Sequence, residues 1–168
     1  MRGAGLFAVA ALALAGCDRP ADPAPVPPAV APPAEHWALG LGPDSAELAW
    51  LADPADPEDA PLRLICARGE GFAVVAPAFQ PIGSEERLSV GAGGDAFALV
   101  AVAGEGPGGP LVRATGAIEE PLLAAIESGQ PIAASYGAQR FGPVGGPASA
   151  MSRAFADSCR QLAARAAG

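Results

Sequence analysis

From residue 36 onward, short apolar segments alternate with clusters of Gly, Pro and Asp, the rhythm of strands and turns rather than of long helices. Residues 36–41 and 46–51 read as two strands joined through Gly42-Pro43-Asp44, a turn-forming cluster that closes an antiparallel hairpin. Leu62, Leu64 and Cys66 alternate with Arg63, Ile65 and Ala67, which puts Cys66 on a strand. A turn at Arg68-Gly69-Glu70-Gly71 leads into a strand over 72–79. Further strands are predicted over 87–90, over 96–103 after Gly93-Gly94-Asp95, and over 111–115 after the Gly- and Pro-rich stretch 104–110. Two helices break the pattern. Residues 120–128 carry Pro121 in the first turn, where a missing N–H costs nothing, and Gly129 just past the end. Leu122, Leu123 and Ile126 form the apolar side. A strand over 131–136 and a Gly-Pro loop precede a last helix over 147–167. There Met151, Phe155, Cys159 and Leu162 share one face, so Cys159 points inward with the core residues. The fold class is α+β: a mainly antiparallel sandwich or barrel-like sheet with a short helix and a C-terminal helix.

Residues 1–16 differ from all this. Arg2 supplies one positive charge, residues 6–15 are apolar, and small residues lead into Cys17, which is the layout of a signal peptide. The apolar run is about half the roughly 20 residues a membrane-spanning helix needs. Leu14-Ala15-Gly16-Cys17 resembles the lipobox of bacterial lipoproteins. The resemblance implies that Cys17 takes a diacylglyceryl group, that the chain is cut just before it, and that the new amine is acylated. Two or three acyl chains hold a protein on its membrane, because each buried methylene contributes roughly 0.8 kcal/mol. Asp18 resembles the residue that keeps such proteins on the inner membrane in enteric bacteria, although the rule varies between lineages. Seven prolines between residues 18 and 33 forbid a helix or an interior strand. At about 3.1 Å per residue, a polyproline II segment of this length is a spacer of roughly 50 Å. The expected organisation is a signal peptide over 1–16, a lipidated Cys and Pro/Ala-rich linker over 17–35, and one β-rich domain over 36–168.

Removal of the signal peptide would leave nine arginines against 18 acidic side chains. That balance argues against nucleic acid as a partner, since such binding relies on clustered cations. It also leaves the membrane contact to the lipid anchor. With Cys17 assigned to lipid, Cys66 and Cys159 remain as a single pair in a compartment that forms disulfides, and the expectation is that they are bonded and pin the terminal helix to the sheet. Neither lies in a CxxC motif or beside a His, so no redox or metal role is read into them.

The remaining chemistry is sparse: one His, no Lys and no GxSxG. His36 stands alone where the linker meets the first strand. The acids at 53, 56, 58 and 59 do not follow the EF-hand spacing and read as a solvated connection. Adjacent glutamates at 85–86 and 119–120 lie in turns. The segment Ser135-Tyr136-Gly137-Ala138-Gln139-Arg140-Phe141 is the one mixture suited to binding, with Tyr136, Gln139 and Arg140 as candidate contact residues. The bland alternative is a hairpin end whose aromatics fill the core.

The globular part resembles small exported bacterial domains that pair a mid-chain strand Cys with a Cys in a terminal Phe-x-x-x-Cys helix, here Ile65-Cys66 and Phe155 to Cys159. That likeness implies a fold and no activity. A second likeness, in anchor, size, sheet content and disulfide, is to lipid-anchored lysozyme inhibitors of the small β-barrel type, without their lysozyme-blocking motif. The expected function is a non-enzymatic, lipid-anchored binding or structural module that faces the periplasm and recognises an envelope protein or glycan. No cofactor or metal is expected. The alternatives are a lysozyme-inhibitor-like lipoprotein or an envelope hydrolase that uses carboxylates brought together by the fold.

Overall fold

The protein is described by a computed structural model over residues 36–166. The expected signal peptide over 1–16, Cys17 and the expected linker over 17–35 lie outside these residues. Among the described residues, nine strands make one wholly antiparallel sheet, and two helices lie against one face of it. In chain order the elements are β1 (Trp37–Leu41), β2 (Ser45–Trp50), β3 (Leu62–Ala67), β4 (Gly71–Ala76), β5 (Arg87–Ala92), β6 (Asp95–Gly106), β7 (Gly109–Gly116), α1 (Glu120–Glu127), β8 (Ile132–Tyr136), β9 (Gln139–Val144) and α2 (Ser149–Ala166). Across the sheet the order is β1-β2-β3-β4-β7-β6-β5-β8-β9, curled into a half-barrel. The chain therefore runs through one meander, jumps from β4 to β5, returns through β6 and β7 to β4, and then crosses back to β8 by way of α1.

Period-two patterning decides which side of each strand is dry. Leu62, Leu64 and Cys66 of β3, Phe72, Val74 and Ala76 of β4, and Leu88, Val90 and Ala92 of β5 all face inward and are buried. The inner face is then filled by Leu122, Leu123 and Ile126 of α1 and by Phe155, Ala156, Cys159 and Leu162 of α2. Each large apolar side chain buried this way contributes roughly 1.5–3 kcal/mol. Cys66 and Cys159, both fully buried, are joined by a disulfide across 93 residues, so α2 is covalently tied to β3. Ser152, the one buried polar residue among those described, has its hydroxyl within reach of the carbonyls of Glu127, Ala148 and Ser149.

The two outermost strands approach each other without pairing. The Trp37 indole N–H on β1 donates to the Gly145 carbonyl just after β9 (2.6 Å), and Trp50 on β2 meets Phe141 on β9 edge-on with ring centroids 5.3 Å apart. His36 stacks on Trp50 with ring centroids 5.4 Å apart. Aromatic contacts thus close the open seam of the half-barrel in place of a ladder of hydrogen bonds.

Several boundaries differ from those the sequence predicts, for local reasons. β4 stops at Ala76 because Pro77 cannot donate to a ladder, whereas the expected strand ran to 79. The stretch 104–110, read as a loop, is the tip of a long hairpin. β6 runs to Gly106 and β7 begins at Gly109, so only Pro107 and Gly108 make the turn. Residues 139–144, treated as a hairpin end running into a Gly-Pro loop, form the ninth strand. Pro143 is tolerated there because β9 is an edge. The second helix begins at Ser149 rather than at 147.

Candidate functional site

With both helices packed against it, the inner face of the sheet is occupied by core side chains. The outer face differs along the sheet. Over β2, β3, β4 and β7 it is laced by ion pairs, Arg63 with Glu47 (2.8 Å) and Arg113 with Glu70 (2.7 Å). Over β6, β5 and β8 most outward side chains are small and uncharged, with Arg87 at the start of β5 standing beside Val100. Val100 and Val102 on β6 are 65% and 56% exposed, and they continue a row with the exposed Ala96 and Ala98. Exposed apolar side chains in a contiguous row mark interaction surfaces more often than isolated ones do.

Beside this row lies a groove of about 620 Å³. Its floor is made by Ser89 and Gly91 of β5, Ala96 of β6, and Ala133 and Ser135 of β8. The pairings Ser89 with Ser135 and Gly91 with Ala133 put these residues side by side on the outer face. Arg140, Phe141 and Pro143 of β9 form one flank, and Asp95 and Gln130 lie at the far end. The reversal between β5 and β6 is a two-residue turn in which Gly93 and Gly94 adopt φ of 65° and 99°, a conformation that strongly favours glycine. A second cleft, of about 820 Å³, lies between residues 57–61 and the β6–β7 hairpin tip. Its Arg63 is already engaged by Glu47 and by the carbonyls of Pro57 and Glu58, so its strongest donor is occupied.

The three residues singled out as contact candidates fall into different environments. Tyr136 is 2% exposed. Its hydroxyl accepts the Ile82 N–H (3.2 Å) and lies 3.0 Å from the carbonyls of Ile82 and Glu85, so it anchors the β4–β5 connection. Gln139 does the same one turn earlier. Its side-chain oxygen accepts the Gln80 N–H, and its amide donates to the Gln80 carbonyl (2.9 and 2.8 Å). Arg140 is exposed and belongs to none of the ion pairs among the described residues. Its Nη1 donates to the carbonyls of Gly137 and Gln139 (2.7 and 2.9 Å), which holds the guanidinium at one end of the groove. The floor residues escaped the sequence reading, although they left a signal. In β5 and β8 the large inward residues are Leu88, Val90, Ile132 and Tyr136, whereas the outward ones after Arg87 are only Ser, Gly or Ala.

Among the described residues, no group of three or more His, Cys, Asp or Glu converges as a metal site would, and no helix is long and apolar enough to cross a membrane. The acids of the 53–59 connection hold turns instead, Asp53 accepting the Ala55 N–H and Asp56 the Glu58 N–H. The carboxylate most altered by its surroundings is Glu120 on α1. Hydrogen bonding to Arg160 of α2 holds it below its ordinary value, against a smaller opposing effect of burial, and Arg160 is raised by the same bonds and by Glu127. The two helices are thereby clamped at their outer rim. In comparison with protein-family models, curated proteins and solved structures, the chain matches none.

Proposed function

We infer that the protein is a bacterial envelope lipoprotein, acylated at Cys17 and non-enzymatic, whose domain recognises another envelope component through the outer face of its sheet. The observation that carries this reading is the contrast between the two faces. The inner face is filled by α1 and α2, whereas the outer face bears the exposed Ala96, Ala98, Val100 and Val102 next to an open groove. A chain that invests its apolar content in a solvent-facing strand row, and ties its core with a disulfide, has the design of a rigid recognition module. The N-terminal layout supports the address, since an apolar run too short to span a bilayer ends in Leu14-Ala15-Gly16-Cys17, and the Pro-rich linker supplies reach from the surface.

Two measurements test it. The native protein is expected to stay with membranes through an alkaline wash, while Cys17→Ala is released. A photo-crosslinker placed at Val100 is expected to give a discrete adduct in living cells, while one at Arg153, exposed on α2, does not. Release of both forms, or identical cross-linking from the two faces, would refute the reading.

A further inference from the structure

Arg63, Arg68, Arg113 and Arg160 each hold a carboxylate at 3.2 Å or less. Arg87 and Arg140 hold none among the described residues, although the chain carries 18 acidic side chains. Both stand on the outer face of the sheet. Arg87 is exposed at the start of β5 and alternates with the buried Leu88 and Val90, in line with Ser89 and Gly91 of the groove floor. Arg140 pairs with Ser135, and Ser135 with Ser89. The β8–β9 turn brings the two arginines together. The pairing of Leu88 with Tyr136 puts Gly137 next in line opposite Arg87, and Nη1 of Arg140 donates to that same Gly137 carbonyl at 2.7 Å. The Arg140 guanidinium is thereby drawn back over a position that lies one strand spacing, about 4.8 Å, from the Arg87 backbone. Two like charges held this close repel each other unless an anion lies between them. Glu85, which is nearby, directs one carboxylate oxygen to the Arg87 N–H (3.1 Å) and carries the other beside Gly137, and it makes an ion pair with neither guanidinium.

We propose that Arg87 and Arg140 bind the phosphate group of an ester whose uncharged body lies along the groove. This rests on the outer face being the recognition surface and adds the chemistry of what it recognises. The donors come from three sides. Nη1 of Arg140 is committed to the carbonyls of Gly137 and Gln139, which leaves its Nε–Nη2 edge for two parallel bonds to an oxyanion from the β9 side. Arg87 approaches from the β5 side, and the hydroxyls of Ser89 and Ser135 stand next to each other on the floor between them. A planar carboxylate is satisfied by one guanidinium fork. A phosphate presents its oxygens tetrahedrally and can use both forks and a hydroxyl at once. Past the serines the floor continues as Gly91, Ala96 and Ala133, small and uncharged, so the groove of about 620 Å³ has room for the neutral part of the ester.

The full chain in nonionic detergent micelles, titrated with glycerol phosphate under calorimetry, tests this. Saturable one-to-one binding is expected, with acetate weaker by about tenfold or more. Arg87→Gln and Arg140→Gln should each weaken glycerol phosphate about tenfold or more, as removal of a charge-assisted bond requires. Glu85→Gln, which removes the nearby negative charge and keeps an acceptor for the Arg87 N–H, should strengthen it. Arg153→Gln, on the exposed surface of α2, should change nothing. If Arg140→Gln disturbs the turn that its side chain holds, Arg87→Gln and Glu85→Gln carry the test. Micelles doped with phosphatidylglycerol separate the two sources of such a phosphate: displacement of glycerol phosphate identifies a lipid headgroup as the ligand, and undiminished binding identifies a soluble ester. Absence of saturable binding, equal affinity for acetate, or wild-type affinity in Arg87→Gln would each overturn the proposal. Failure to bind phosphate together with an intact Val100 adduct would reject the phosphate site alone and leave the outer-face reading standing.

Discussion

Single side chains carry the closure of this half-barrel. The bond between Cys66 and Cys159 closes a loop of 93 residues, and in the chain-entropy picture such a link contributes at most roughly 4–5 kcal/mol. Cys66→Ser and Cys159→Ser are each expected to lower stability by about 2–5 kcal/mol. The double variant should be no worse than the worse single one, because both remove the same cross-link. Denaturant unfolding with and without reductant checks this, and a variant as stable as the wild type would show the bond to be idle. At the seam, Trp37→Phe keeps the buried ring and deletes the donor to Gly145, which leaves that carbonyl without the bond. A loss of about 1–3 kcal/mol is expected in thermal unfolding. Tyr136→Phe should cost a similar amount and, unlike Trp37→Phe, should raise hydrogen exchange over residues 80–86, because its hydroxyl holds that segment.

Among the elements, the helix pair has a titratable clamp. Arg160 of α2 binds Glu120 and Glu127 of α1, and Glu120 is held below the ordinary carboxylate value of 4.5 chiefly by its hydrogen bond to Arg160. A carboxylate with a depressed folded-state pKa stabilises the fold above its unfolded value and loses that contribution as the pH falls through the folded one. The stability difference between wild type and Arg160→Met is therefore expected to be largest near neutral pH, to shrink below about pH 4.5, and to narrow in high salt. Denaturation curves across pH would expose a constant difference, which would mean that the clamp acts through packing alone. The strands were legible where alternation was strong, as in Leu62, Leu64 and Cys66. β9 was missed because Gly142 and Pro143 look like loop residues, and only its edge position makes them acceptable. The tip at 104–109 was misread for a related reason. Glycines weaken a strand's intrinsic signal, and the pairing of β6 with β7 overrides that weakness.

For the molecule as a whole, the two faces of the sheet divide the labour. Charged substitutions at Val100 or Val102 should leave unfolding within about 0.5 kcal/mol of wild type, since exposed positions remote from caps and cores rarely do more. A charge at Val102 should in addition abolish the adduct given by the cross-linker at Val100. An undiminished adduct would move the recognition surface elsewhere. Apolar spacing along the chain was enough to determine the elements other than β9, which side of each is dry, and that Cys159 shares the core face of its helix with Phe155 and Leu162, because those properties depend on residues only two to four positions apart. The insertion of β7 beside β4, the aromatic seam between β2 and β9, and the meeting of Arg140, Gly91 and Asp95 around one groove were decided only by tertiary structure. Those contacts join segments tens of residues apart, and their partners are chosen by the packing of the entire sheet around two helices rather than by any local preference.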